Sequence, residues 1–230
     1  MTTDDRPATD VATSQQVLKI SELRTHPGRA LVVFGAPIAF IVTGSLHVVA
    51  GRDTADMYLA LHDHASVWIG IHVIQLALIL LLAVAVYYLT EGMTSAAARV
   101  SRIALLPYLV FYSTYDSVVG LSTGLVVHYG AGLAPDEQAV LPGVTTVLTG
   151  SVDQPIPWVI VFIGSLSWAV AVIAAAVALS RAGASWAATV PLGLAGVIGA
   201  IDHALPFGPI AMALFLVAAY VLSRPGHETA

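Results

Sequence analysis

Six of the eight histidines in this chain stand at or near the ends of long apolar segments. Imidazole is the commonest metal ligand in proteins, it ligates haem iron, and it titrates close to neutral pH. A histidine beside or inside a bilayer costs free energy, so a group of them predicts a site. The six are His47, His62, His64, His72, His128 and His203.

A polar stripe runs along the first half of the second apolar segment. His64, Trp68, His72 and Gln75 follow one another at spacings of 4, 4 and 3 residues, which places them on one face of a helix. Beyond Gln75 the segment is apolar until Tyr87. A stripe that stops halfway indicates the wall of a cavity open at that end. Interface anchors with one interhelical hydrogen bond are the alternative.

The histidines predict a metal or haem site. We expect metal ligands from His47, His72, His128 and His203, with His64 in reserve, and a cofactor between His47 and His72, which share a depth. Imidazole sites suit Zn, Cu or haem iron. The chain has no cysteine, which excludes thiolate sites. The opposite ends of the segments carry no histidine, which disfavours a two-haem electron conduit.

A second reactive group lies in the third apolar segment. An ionised carboxylate at the mid-bilayer position of Asp116 costs roughly 2.5–3.5 kcal/mol and marks a partner, a pathway or a site. Tyr112 and Tyr115 lie beside it at helical spacing, and both are further catalytic candidates, as is Asp202 of the fifth segment. Desolvation favours the protonated acid, so Asp116 is a candidate general acid. A structural hydrogen bond is the alternative role.

Spacing along this third segment separates its polar groups. His128 follows Asp116 by twelve residues, about 18 Å along a helix axis. We therefore expect an outer histidine layer and a separate, deeper carboxylate layer. Gly120 and Gly124 form a G-x-x-x-G pattern, which predicts tight packing against a neighbouring helix.

Asp202 and His203 close the fifth segment. Adjacent residues of a helix diverge by 100°, so the pair is not expected to face one target. A carboxylate often orients an imidazole that binds a metal, and we expect Asp202 to do so for a histidine of another helix.

The composition predicts an integral membrane protein. Of its 230 residues, 57% are hydrophobic and 10% are charged, with a mean hydropathy of +0.85, whereas soluble domains carry about 25% charge. The expected fold is all-α, a bundle of six transmembrane helices near 30–50, 66–90, 102–128, 157–180, 185–204 and 207–223. Residues 1–29 and 224–230 are predicted as polar cytoplasmic tails, the first disordered, and 129–156 as an outer loop with an interfacial or re-entrant helix.

The basic residues predict the orientation. With the N-terminus inside, eight of the nine Lys and Arg residues fall on the cytoplasmic side, and only Arg52 is outside. Both termini are then cytoplasmic, which requires an even number of spans. The eight are Arg6, Lys19, Arg24, Arg29, Arg99, Arg102, Arg181 and Arg224. The clustered histidines lie on the outer side of what we expect to be a bacterial inner membrane.

The first two segments carry a loose pattern. Gly44-Ser45-Leu46-His47 is followed by a loop of His and Asp and by Trp68-x3-His72 opening a long apolar helix. The pattern resembles small multi-pass membrane proteins of actinobacteria. The resemblance covers about 60 residues; it implies a fold of several spanning helices, and no activity or functional residue is carried over from it.

The leading hypothesis is a metal- or haem-binding membrane enzyme that acts on a lipid, quinone or isoprenoid near the outer leaflet. One alternative is a metal-free acid–base enzyme, such as an isoprenoid cyclase, that uses Asp116. Another is a proton-coupled transporter or a subunit of a membrane complex, and a homo-oligomer fits either case. The expected partners are membrane lipids and a hydrophobic small molecule, and the net charge of −5 disfavours nucleic acid.

Overall fold

The computed structural model describes residues 26–47 and 54–224. Most of the predicted N-terminal tail, Arg52 in the first outer loop and nearly all of the C-terminal tail lie outside the described residues. Within the described ranges the chain is helical and contains no β-strand, which confirms the all-α class.

Nine helices are distinguished in the described residues. Five correspond to predicted segments with ends displaced by a few residues, and α4 extends its segment at its N-terminal end. They are α1 (Pro27–Leu46), α2 (Thr54–His62), α3 (Ala65–Thr90), α4 (96–130), α5 (Pro135–Gln138), α6 (Leu141–Thr149), α7 (Ile156–Arg181), α8 (Trp186–Gly199) and α9 (Phe207–Leu222).

Three of these helices are long and apolar enough to cross a membrane: α1, α3 and α7. The apolar helices α8 and α9 are shorter. Helix α4 is continuous but contains two π-helical stretches, Tyr108–Tyr112 and Asp116–Ser122, and it begins at Ser95, whose hydroxyl accepts a hydrogen bond from the backbone of Ala98. π-Helical turns inside an α-helix occur often at functional sites.

One end of the bundle is held by two arginines, and we call it the arginine end. Arg29, in the first turn of α1, forms a 2.7 Å ion pair with Glu91, which follows α3. Arg102 of α4 donates hydrogen bonds to the carbonyl oxygens of Thr90 and Met93, which belong to the end of α3 and the loop after it. Cations favour the C-terminal carbonyls of a helix. The start of α1, the end of α3 and the start of α4 therefore share one end.

We call the other end of α3, which carries Trp68 and His72, the histidine end. Two short helices cover it: α2 and α6 pack against each other and against α4. Their contacts form a small apolar cluster apart from the main core, made of Tyr58, Leu61, Ala65, Trp68, Val127 and Leu141. Helix α6 lies within 129–156, where an interfacial or re-entrant helix was expected. Helix α2 was not predicted, since its residues Asp56 and His62 were assigned to a loop.

The main core is built around small side chains of α7. Ala171, Ala175 and Ala178 are fully buried, and they face α4, α8 and the inner face of the bundle. Small residues allow helix backbones to approach closely, which is the main source of helix association in an apolar environment. Gly183 lets α7 end and the chain turn to α8, because its φ of 87° lies in the left-handed region.

The glycine pattern of α4 is explained by its contact with α3. Gly120 lies directly against His72, and a Cβ built on Gly120 would overlap the imidazole ring. Gly124, one turn further, lies in the same way against Trp68 and Ile69. The tight packing predicted from the G-x-x-x-G pattern therefore occurs between α4 and the polar stripe of α3.

Substitution of Gly120 tests this contact. Gly120→Ala is expected to lower the free energy of unfolding by about 1–3 kcal/mol, because the added methyl group forces the His72 ring or the helices apart. Gly70→Ala is the matched control, since Gly70 is on α3 and a Cβ added there would meet no atom within 4 Å. Thermal unfolding of both variants in detergent is the measurement. Equal midpoints for the two variants would contradict the proposed close approach.

Candidate metal centre

Three histidines from separate parts of the chain meet at the histidine end. His47 directly follows α1, His72 lies in α3, and His203 lies in the segment after α8. One nitrogen of each ring lies within 4.8 Å of a nitrogen of the other two. Three of the four predicted ligands therefore converge, and the three rings could hold a metal ion.

Helix ends position two of these histidines. α1 stops at Leu46, and His47 takes up an extended conformation with φ −62° and ψ 123°. This turns its ring to within 5.1 Å of the His72 ring and 5.0 Å of the His203 ring, centroid to centroid. α8 stops at Gly199, which places His203 on irregular backbone that can fold back over the bundle.

The early end of α8 corrects the prediction for Asp202. Helical geometry implied that Asp202 and His203 face different targets, and this is wrong because neither residue is helical. The Asp202 carboxylate accepts a hydrogen bond from the backbone of Ala204 at 2.9 Å, and it lies 3.5 Å from Nδ1 of His203. The Asp202 carboxylate therefore lies beside His203, the next residue in the chain, on the side of the imidazole ring opposite Nε2.

Hydrogen bonds determine which nitrogen of His72 is available. Its Nδ1 lies 2.8 Å from the carbonyl oxygen of Trp68 and must donate to it, so the lone pair is on Nε2. The indole of Trp68 donates to the carbonyl oxygen of Gly120 at 2.6 Å. The same indole contacts the rings of His47 and His72 at 4.6 and 4.3 Å between centroids. Trp68 thus contacts both rings and joins them to α4 through its hydrogen bond to Gly120.

Asp116 belongs to the same site, which corrects the predicted separate carboxylate layer. It is 2% exposed, its Oδ1 lies 4.0 Å from Nε2 of His72, and its Oδ2 has no hydrogen-bond partner among the described residues. The predicted separation of Asp116 from His128 holds, but His128 is not the histidine that lies beside Asp116. His72 lies against α4 at Gly120, one helical turn from Asp116. The His72 ring therefore comes close to the Asp116 carboxylate.

Two predicted ligands lie outside the group. His128 is exposed on α4, because Val127, one position earlier, is the residue that faces the interior. His64 is exposed at the start of α3, about two helical turns from His72. Neither joins the three converging rings, so the prediction that they act as ligands is not supported by the geometry.

The two predicted tyrosines occupy different environments. Tyr115 lines the cavity and lies 6.5 Å from the ring of His203, centroid to centroid. Tyr112 is buried behind His203, at 6.0 Å between ring centroids, and packs against Gly164 of α7. Tyr115 can therefore contact a molecule in the cavity, whereas Tyr112 supports the wall.

A cavity of about 200 Å³ opens between the three histidines. Its wall includes Asp116, Tyr115 and Asp202, with Met57, Val119 and Leu205 as apolar contributors. Pockets for drug-sized molecules begin at roughly 300 Å³, and a haem is larger than that. The His47 ring packs edge-to-face against the rings of His72 and His203, at 5.1 and 5.0 Å between centroids, which leaves no space for a porphyrin between them. The donor set therefore fits a single ion better than the predicted haem.

The electrostatics of His203 suit metal binding. His203 lies in the segment between α8 and α9, outside the apolar helices. Burial, together with the nearby rings of His47 and His72, lowers the pKa of His203 to about 3. The imidazole is therefore neutral at pH 7, and its buried Nε2 has no hydrogen-bond partner within the described part of the chain. Metals bind the neutral form of histidine.

Several lining residues were not identified from the sequence. Met57 comes from the unpredicted helix α2, and Leu205 follows His203 in the segment between α8 and α9. Both are ordinary apolar residues without a distinguishing spacing. The signal that could have found Leu205 was its position two residues after His203, whereas Met57 lies five residues before the nearest histidine and carries no such signal.

Comparison of the chain with protein families, curated proteins and solved structures finds no match. No relative therefore supplies an activity or a ligand. The chemistry of the site has to be argued from the arrangement of its own side chains.

Removal of single histidines tests the metal centre. His47→Gln, His72→Gln and His203→Gln are each expected to weaken zinc binding by more than the roughly 10- to 100-fold that follows loss of a hydrogen-bonding partner of a ligand. His64→Gln and His128→Gln are the matched controls, because both side chains are exposed and lie outside the group. Zinc content by elemental analysis and affinity by competition with a chelator are the measurements. Equal zinc content in all five variants would exclude this centre.

Proposed function

We propose that this chain is a membrane-embedded metalloenzyme that hydrolyses a hydrophobic substrate near the outer surface of the membrane. One zinc ion is held by His47, His72 and His203. Asp116 accepts a proton from water and returns it to the leaving group. The observation that carries the proposal is the convergence of three imidazoles from three distant parts of the chain, with their nitrogens within 4.8 Å of one another. Packing alone gives no reason for three such polar rings to meet beside a buried carboxylate.

The donor set favours zinc with an open position. Catalytic zinc sites commonly have three protein ligands and a water molecule, with Zn–N distances of about 2.0–2.1 Å. His47, His72 and His203 would supply the three ligands. The carbonyl oxygen of Trp68 contacts Nδ1 of His72, and Asp202 contacts Nδ1 of His203, so the Nε2 atoms of both rings remain available as ligands.

The arrangement suits metal-assisted hydrolysis of an ester or amide. Zinc lowers the pKa of a bound water molecule towards 7. With zinc bound, Asp116 would accept a proton from this water as the water oxygen forms a bond to the acyl carbon. As the bond from that carbon to the leaving oxygen or nitrogen breaks, Asp116 returns the proton to the leaving group. One water is consumed, and the products are an acid and an alcohol or amine.

We propose that six of the described helices cross the membrane. α4, α8 and α9 add to the three helices that are long enough to span, although α8 and α9 measure only about 21 and 24 Å at 1.5 Å per residue. Irregular backbone at membrane depth is tolerated where it lines a cavity, and the segment 200–206 does so with Asp202, His203 and Leu205. The arginine end is cytoplasmic by the charge bias, so the cavity faces outward.

A metal-free acid–base reaction is the second candidate function. It is favoured by one observation, the buried Asp116 whose Oδ2 has no hydrogen-bond partner among the described residues. Held protonated, this carboxyl could donate a proton to an isoprenoid, and Tyr115 would stabilise the developing cation. Purified protein that contains no metal but depends on Asp116 for its activity would favour this candidate over the first.

Asp116→Asn tests the catalytic role of the carboxylate. We expect the zinc-loaded chain to hydrolyse p-nitrophenyl octanoate in micelles, with kcat/KM about 100- to 10,000-fold lower in the variant, because general base catalysis is lost. Zinc content should be unchanged. Asp136→Asn, at an exposed position outside the cavity, is the control. Hydrolysis that survives in Asp116→Asn, or that persists after the zinc is removed, would count against the mechanism.

The orientation is tested by labelling, which the absence of native cysteine makes simple. Asp136→Cys introduces a thiol in the predicted outer loop, and Thr94→Cys introduces one between α3 and α4 at the arginine end; both positions are exposed. A membrane-impermeant maleimide should label the first variant in intact spheroplasts and the second only after lysis. The reverse pattern would place the metal centre on the cytoplasmic side.

A further inference from the structure

The charged side chains of the cavity are all of one sign. Asp116 and Asp202 are the acidic residues of its lining, and no Lys or Arg of the described residues reaches it. Arg29 and Arg102 pair instead with groups at the arginine end. The remaining wall is aromatic or apolar, with Trp68, Tyr115, Met57, Val119 and Leu205.

The two carboxylates occupy different depths of the cavity. Asp116 is buried beside His72, whereas the side chain of Asp202 is 48% exposed next to His203. The Asp202 carboxylate therefore lies nearer the solvent, and the Asp116 carboxylate lies deeper, beside His72. Asp116 takes part in the proposed reaction. Asp202 lies at the rim, where its negative charge acts on any charged molecule that enters the cavity.

We propose that this site takes an ester or amide whose reacting end is uncharged or carries an amine, and rejects molecules with phosphate, sulfate or carboxylate next to the reacting bond. This inference rests on the proposed function, since it names the substrate class of the same centre. With zinc bound, the two positive charges of the ion would balance the two carboxylates, so the selection against anions comes from Asp202, the carboxylate nearer the solvent. Like charges at close range disfavour binding. Aromatic faces such as those of Trp68 and Tyr115 accommodate neutral or cationic groups.

The test uses the full-length chain in detergent with Co²⁺ in place of zinc. The visible absorption of bound Co²⁺ reports a small ligand that enters the open position. Azide serves as an anionic probe and imidazole as a neutral one, both at about pH 8 and low ionic strength. We expect the Asp202→Asn variant, with its site filled with Co²⁺, to gain about three- to tenfold in azide affinity relative to its imidazole affinity, when compared with the unaltered chain.

Comparison of the two probes distinguishes an effect of the Asp202 charge from an effect on the position of His203. If Asp202 acts only by orienting His203, Asp202→Asn will change the affinity for azide and imidazole to the same extent, and the inference is overturned. It is equally overturned if the azide affinity relative to the imidazole affinity stays within twofold. Asp153→Asn provides the control, because this exposed outer residue removes the same charge away from the cavity; it should leave both affinities unchanged. An equal gain for azide in both variants would indicate a general surface effect and also contradict the proposal.

Failure of the metal centre gives a different result. A chain that develops no Co²⁺ absorption lacks the centre itself, and the proposed function then fails together with the substrate class. A chain that binds Co²⁺ and hydrolyses the neutral p-nitrophenyl ester, but shows no response of azide to Asp202→Asn, retains the proposed function and loses only the charge selection.

Discussion

The contact between α3 and α4 at Gly120 is the constraint on which the site depends. Because residue 120 has no side chain, the His72 ring lies directly against the α4 backbone, within 4.0 Å of Asp116. The Trp68 indole reinforces the contact by its hydrogen bond to the carbonyl oxygen of Gly120. Without this close approach, the helices would stand further apart, and the carboxylate and the imidazole would belong to separate environments.

Buried polar groups explain why this arrangement indicates a ligand. An unsatisfied polar group inside a protein costs about 1–3 kcal/mol, and most such groups in native proteins find a partner. Asp116 Oδ2 and His203 Nε2 both lack one within the described chain, although they lie around the same cavity. A metal ion with a bound water molecule would satisfy both kinds of atom at once: the imidazole as a ligand and the carboxylate as an acceptor from the water.

The short segment 200–206 shows how a departure from regular structure creates the site. Had α8 continued through His203, the ring would have been set by helical rotation, and Asp202 would have faced away from it. Because the helix ends at Gly199, both side chains lie at the cavity. The helices α2 and α6 then cover the neighbouring surface, so the site lies beneath a helical cap and beside irregular backbone, instead of on a bare bundle end.

Local sequence was enough to predict the helical class, most segment boundaries, the glycine contact and the two strongest chemical groups, the histidines and Asp116. These follow from apolar length, 3.6-residue periodicity and the cost of a charge in an apolar environment. Which histidines meet depended on the packing of the whole chain. His47 and His203 converge on His72 because two helices end early, while His64 and His128 point outward through rotation by a single position. Helix ends and rotational settings depend on contacts between segments distant in sequence, and no single segment encodes them.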